Sequence, residues 1–138
     1  MQPLRETAGL PDPNIAPPQI AQSGDPFARL RVVHLIARIP RATPVRLRDI
    51  VEHLNSEYVD WSFDRRVVVE ALVQLQANWM LDFRNTSGIE FGTDDAGETV
   101  TLEDTPRVDA WMISQAGRLV GECRARLRAF AVEEGAIP

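Results

Sequence analysis

Cysteine and histidine are scarce in these 138 residues. Cys123 stands alone, so no disulfide can close within the chain, and the expectation is a reduced thiol in a cytoplasmic protein. It has no CxxC partner, and neither His34 nor His53 has a second histidine at metal-ligand spacing. No metal site is therefore expected, and His34 reads as a partly buried packing residue. A glycine-rich phosphate loop is missing too, since Gly88, Gly92 and Gly97 read as turn residues. No catalytic residue and no cofactor are expected, and the protein is expected not to be an enzyme. No run approaches the ~20 apolar residues that a membrane span requires. The start of the chain has neither a basic cluster nor a continuous apolar stretch, so no secretory signal is expected. Lysine is absent, and all fifteen cations are arginine. Guanidinium groups favour bidentate contacts, but genomic base composition accounts for the bias, and no function is drawn from it.

What is present suffices for one folded domain with appendages. Hydrophobic residues make up 44% of the chain, enough for a core. The net charge of −5 gives no overall pull toward nucleic acid, yet the charges are segregated. Residues 27–48 hold Arg29, Arg31, Arg38, Arg41, Arg46 and Arg48 and no acid, whereas residues 82–104 hold seven acids and only Arg84.

Residues 1–24 carry five prolines without a sustained period and read as a flexible, proline-rich arm. Asp25-Pro26 reads as an N-cap and first helical position. Phe27, Leu30, Val33 and Ala37 share one face of the helix that follows, which Pro40 stops. After the extended "RATPV", a second helix has Leu47, Ile50, Val51 and Leu54 as its stripe and Asn55 near its end. "SEYVDW" is a connector. Ser62 or Asp64 can cap a third helix, where Val68, Ala71, Leu72, Leu75 and Trp79 follow helical spacing. Asn78 is expected to end this helix in a left-handed conformation. "WMLDFR" then reads as extended, "NTSG" as a turn, "IEF" as a strand, "GTDDAGE" as a loop and "TVTLE" as another strand. Thr105-Pro106 repeats the cap signal before a last helix of about residues 107–132.

The fold class expected is α+β and mostly helical. The stretch "VVVEALVQLQANWMLDFR" resembles the third helix and first wing strand of bacterial and archaeal winged-helix regulators. Val68, Leu72 and Leu75 hold the apolar places of that pattern, Trp79 stands where glycine is typical, and Met80-Leu81 enter the strand. The resemblance covers about residues 25–104. It implies a winged helix-turn-helix domain with a small antiparallel hairpin or sheet, followed by a long C-terminal helix over residues 105–138.

A homodimeric, DNA-binding transcriptional regulator is the function this resemblance implies, with double-stranded DNA as partner. Arg65 and Arg66 would reach base edges from the start of the third helix, with Val69 and Glu70 on the same outward side. Arg41, Arg46 and Arg48 would grip phosphates. Trp111, Met112, Ala116, Leu119, Cys123, Leu127 and Phe130 form the stripe expected to join two copies, and Gly117 and Gly121 would permit close helix approach. The alternative is a winged-helix module that binds protein through the acidic hairpin of residues 82–104 or through the N-terminal arm, because those acids would be repelled by a phosphate backbone. If DNA is bound, the loop at Asp94-Asp95 is expected to point away from it.

Overall fold

A computed structural model describes residues 19–84 and 88–133. Within them the chain is α+β and mostly helical, with four helices and a small three-stranded antiparallel sheet. The elements run β1 (Gln19–Ile20), α1 (Pro26–Ile36), β2 (Val45–Arg46), α2 (Leu47–Glu57), β3 (Trp61–Ser62), α3 (Arg65–Phe83), β4 (Ile89–Asp94), β5 (Gly97–Leu102) and α4 (Pro106–Glu133). The sheet order is β2-β5-β4: Val45 pairs with Val100 across β2 and β5, and Ile89 pairs with Leu102 across β4 and β5.

Side-chain caps set three of the helix starts. The carboxylate of Asp25 accepts from the Phe27 N–H at 2.9 Å, that of Asp64 from the Val67 N–H at 2.9 Å, and the Thr105 hydroxyl from the Val108 N–H at 3.2 Å. Each satisfies a donor that a helix terminus leaves open. Asn55 lies inside α2, and its amide both donates to and accepts from the backbone of Phe63, a side-chain substitute for a strand partner. One core joins all four helices to the sheet, and Ile36, Leu54, Leu72, Trp79, Leu102 and Val108 are among its most deeply buried residues.

Several expectations need correction. Helix α3 does not end at Asn78, and residues 79–83 are helical rather than extended. Without the glycine that usually breaks this position, Trp79 continues the buried stripe of Val68, Leu72 and Leu75, and Phe83 packs on it at 4.2 Å between ring centroids. Arg84 ends the helix instead, at φ 51°, with its N–H on the Met80 carbonyl. The Asn78 amide, still mid-helix, accepts from Gln74 and donates to Gln115. "GTDDAGE" is mostly strand: Asp94 pairs with Gly97, leaving only Asp95 and Ala96 as the turn. His34 is exposed, not a packing residue, and Ala37 is exposed beyond the end of α1.

Both appendages belong to the same body. Gln19–Ile20 runs parallel to Trp61–Ser62, and Ala21 is buried, so the expected arm is docked from residue 19 onward. The rest of that arm, residues 1–18, and most of the "NTSG" turn, residues 85–87, lie outside the described residues. Helix α4 is not a separate element, because Val108, Trp111, Met112 and Leu119 enter the common core.

Gly88 shows how tightly the sheet meets α3. A Cβ there would stand 2.8 Å from Cε2 of Trp79. Gly88→Ala is expected to destabilise the fold by about 1–3 kcal/mol, the usual effect of overpacking. A thermal melt read by Trp79 near-UV dichroism checks this, and an unchanged midpoint would show that the indole has room to move.

Candidate interaction surface

The cap at Asp64 places Arg65 and Arg66 on the first turn of α3, exposed as expected. They are not free. Both oxygens of the Glu98 carboxylate take N–H donors from Arg65, Nε–Oε1 at 2.7 Å. Arg66 pairs with Glu70 one turn along at 3.6 Å. Arg46 Nε stands 3.5 Å from Asp94 Oδ2. The hairpin β4-β5 thus sets Asp94 and Glu98, on either side of its turn, against two of the arginines expected to meet DNA. Asp94 points toward the candidate surface, not away from it.

The remaining basic candidates divide. Arg41 is mostly covered: it donates to the carbonyls of Ile36, Ala37 and Ile39 and to Asp109 Oδ1 at 2.7 Å. It closes the end of α1 onto the start of α4, so most of its donors are engaged within the subunit. Arg48 is exposed and has no ion pair among the described residues.

Between these pairs the surface is apolar. Val69 is half-buried against the core, and beside it lies a groove of about 390 Å³ lined by Leu47, Val69, Val73, Phe91, Glu98 and Val100. The groove forms because α3 has a second apolar side. Val69, Val73, Ala77, Met80 and Leu81 recur at helical spacing opposite the buried stripe, and Val73, Met80 and Leu81 are 50%, 40% and 79% exposed. Phe91 of β4 lines the groove with Val69 and Val73 and is 43% exposed. Of this patch, Val69 is among the residues that the sequence places on the outward side. Met80 and Leu81 were assigned to a strand, and Phe91 is the only large aromatic on the outer hairpin. Continuing the four-residue period from Val69 would have exposed the stripe.

Most of the residues expected to join two copies are used inside the subunit. Trp111, Met112, Leu119 and Cys123 are buried and Ala116 half-buried, because α4 folds back along α1 and its own core covers that stripe. Trp111 is pinned by an Nε1–H bond to Asp82 Oδ2 at 2.8 Å. Burial, with Asp25 nearby, raises the pKa of the Cys123 thiol. Only Leu127 and Phe130 remain open, and Gly117 and Gly121 face empty space.

A second cleft, about 570 Å³, lies between the end of α1 and α2, with Leu35, Ile39 and Ile50 as floor and Arg38, Asp49 and His53 at its rim. Arg38 is held by Glu57 at 2.5 Å. Among the described residues, no group of three His, Cys, Asp or Glu side chains could hold a metal ion, and no helix is long and apolar enough to cross a membrane. The chain matches no protein-family model, no curated protein and no solved structure.

The Arg65 guanidinium holds the Glu98 carboxyl below its usual pKa, chiefly through the hydrogen bonds. A depressed carboxyl pKa means that the tie is present above the ordinary glutamate range and is lost as pH falls through the lowered folded value. Titration of the Glu98 carboxyl carbon by NMR should give a midpoint below that of an unpaired glutamate, and Arg65→Ala should move it upward. An unshifted midpoint in the native protein would mean that the pair does not persist in solution.

Proposed function

We propose that this chain is a winged-helix module that engages protein rather than DNA, through the outer side of α3 and the groove beside the β4-β5 hairpin. Support for the winged-helix reading comes from the order α1, β2, α2, α3, hairpin and from the sheet order in which β2 pairs with the returning strand of that hairpin. The observation that carries the choice of partner is the surface where a recognition helix would read bases. Arg65, Arg46 and Arg66 are matched there by Glu98, Asp94 and Glu70, leaving Arg48 without an ion pair among the described residues, and the groove beside Glu98 is lined by Val69, Val73 and Phe91. Phosphate contacts dominate protein–DNA affinity, and here they would have to displace hairpin carboxylates. An apolar patch with a charged rim suits a protein partner.

The competing reading, a DNA-binding regulator, is favoured by the exposure of Arg48, Arg65 and Arg66 on one side of the domain. Two measurements separate the readings. A photoreactive residue at position 73 should yield a discrete protein adduct in cells, and Val73→Glu in a second such protein, labelled at position 80, should abolish it. Selection against genomic DNA fragments should yield no specific complex. A sequence-specific complex that weakens steeply with salt and is lost in Arg65→Ala/Arg66→Ala would instead establish the DNA reading.

A further inference from the structure

Helix α4 has 28 residues and is about 42 Å long at ~1.5 Å per residue. Its last buried residue is Cys123, which lies near Asp25 at the start of α1. Beyond that point α1 offers nothing to pack on, and the last ten described residues extend about 15 Å past it. The face that buries Leu119 and Cys123 nevertheless continues through Leu127 and Phe130, which are 57% and 60% exposed. An amphipathic arm therefore leaves the body with its apolar side uncovered.

Charge narrows what can cover it. Residues 124–133 hold Arg124, Arg126 and Arg128 against one acid, Glu133. None of these arginines has an ion pair among the described residues. Two arms laid on each other would bring six guanidinium groups together. The hairpin carries the opposite charge: Glu90 and Asp95 have no ion pair among the described residues, and they stand beside Asp94 and Glu98, which meet Arg46 and Arg65. Beside it lies the apolar groove of Val69, Val73 and Phe91. Leu127 and Phe130, three residues apart on a helix, have the anchor spacing by which amphipathic helices dock in such grooves.

The arm's own groove is out of reach, because α4 is one continuous helix whose first half is packed on α1. The start of α1 links the two regions: Gly24 and Arg29 line a cleft with Glu70, Val73 and Gln74 of α3, and Arg29 and Gln74 line another with Leu119 and Glu122, the turn of α4 that leads into the arm. We propose that the occupant of the groove is a second copy of this chain, each copy laying the α4 arm, residues 124–133, into the groove of the other, with arginines toward the acidic hairpin. The inference rests on the reading of α3's outer side as a protein-binding surface. A two-fold arrangement satisfies both contacts at once and closes the assembly.

Sedimentation of the full chain tests this. The native protein should be a dimer that weakens as salt rises. Leu127→Glu/Phe130→Glu and, separately, Val73→Glu should each weaken self-association by about tenfold or more, with the helical dichroism unchanged because these side chains are exposed in the monomer. Phe91→Ser provides a second groove variant should Val73→Glu fail to fold. An equal mixture of the arm variant and a groove variant should recover a heterodimer, since one intact arm still meets one intact groove. The proposal is overturned if the native chain stays monomeric at its highest soluble concentration. It is equally overturned if the arm variant is monomeric while both groove variants dimerise normally, the result of arm-to-arm pairing. A monomeric chain that still gives a discrete adduct with a different protein from position 73 would remove the second copy and leave the protein-binding reading of the groove standing.

Discussion

One buried indole fixes how the outer elements sit. Trp79 is fully buried, and three pieces of the chain are arranged around it: Phe83 on its own helix, the backbone of Gly88 where the hairpin begins, and Trp111 of α4, edge-on at 5.0 Å between centroids. Arg107 adds its guanidinium over the same ring at 5.5 Å. Truncating a buried tryptophan costs about 3–5 kcal/mol, comparable to the whole margin of a small domain. Helix α3, the hairpin and α4 therefore cannot shift independently. The place of Glu98 relative to Arg65, and of Phe91 relative to Val73, follows from that anchoring.

Carrying α3 past Asn78 has a consequence on its other side. A longer helix with an uninterrupted apolar period presents two stripes, and the core has room for one. The hairpin covers Val69 in part, but Val73, Met80 and Leu81 are left in solvent. The Glu98 carboxylate reaches back to Arg65 at the edge of this side, and Asp94 meets Arg46 of β2 beside the other cleft. Exposed pairs of this kind contribute little to stability, so their effect is positional and electrostatic. They set carboxylates beside Arg65 and Arg46 where the hairpin meets the start of α3 and the neighbouring strand β2. A polar outer stripe with unmatched arginines would have argued the opposite.

Much of this arrangement was legible in the residues. The caps at Asp25, Asp64 and Thr105, the buried stripe from Val68 to Trp79 and the pair of strands after Gly88 all follow from local rules of capping and periodicity. The end of α3 was not legible, because Asn78 fits a left-handed cap and "WMLDFR" fits an extended run until Trp79 is known to have Phe83 and Trp111 as neighbours. The ion pairs were hidden for a related reason. Arg65 and Glu98 lie 33 residues apart, and their meeting depends on the register that sets Thr93 opposite Glu98. In α4 the stripe was correctly seen, but periodicity cannot say whether it faces α1 of the same chain or another molecule. Only the length of α1, which ends the cover near Cys123, divides it.

That division leaves the charges of the chain unevenly spent. Within the body, Arg38, Arg41, Arg46, Arg65 and Arg66 each meet a carboxylate. Among the described residues, Arg124, Arg126 and Arg128 are cations without an ion pair that stand together on the α4 arm, and Glu90 and Asp95 are unpaired acids on the hairpin. A molecule with a net charge of −5 repels its own copies on average, so association is favoured only in orientations that bring opposite patches together. Among the exposed apolar side chains, Leu127 and Phe130 lie on the basic arm and Val73 and Phe91 line the groove beside the hairpin. In the proposed assembly, apolar area would supply the attraction and charge would select which surfaces meet.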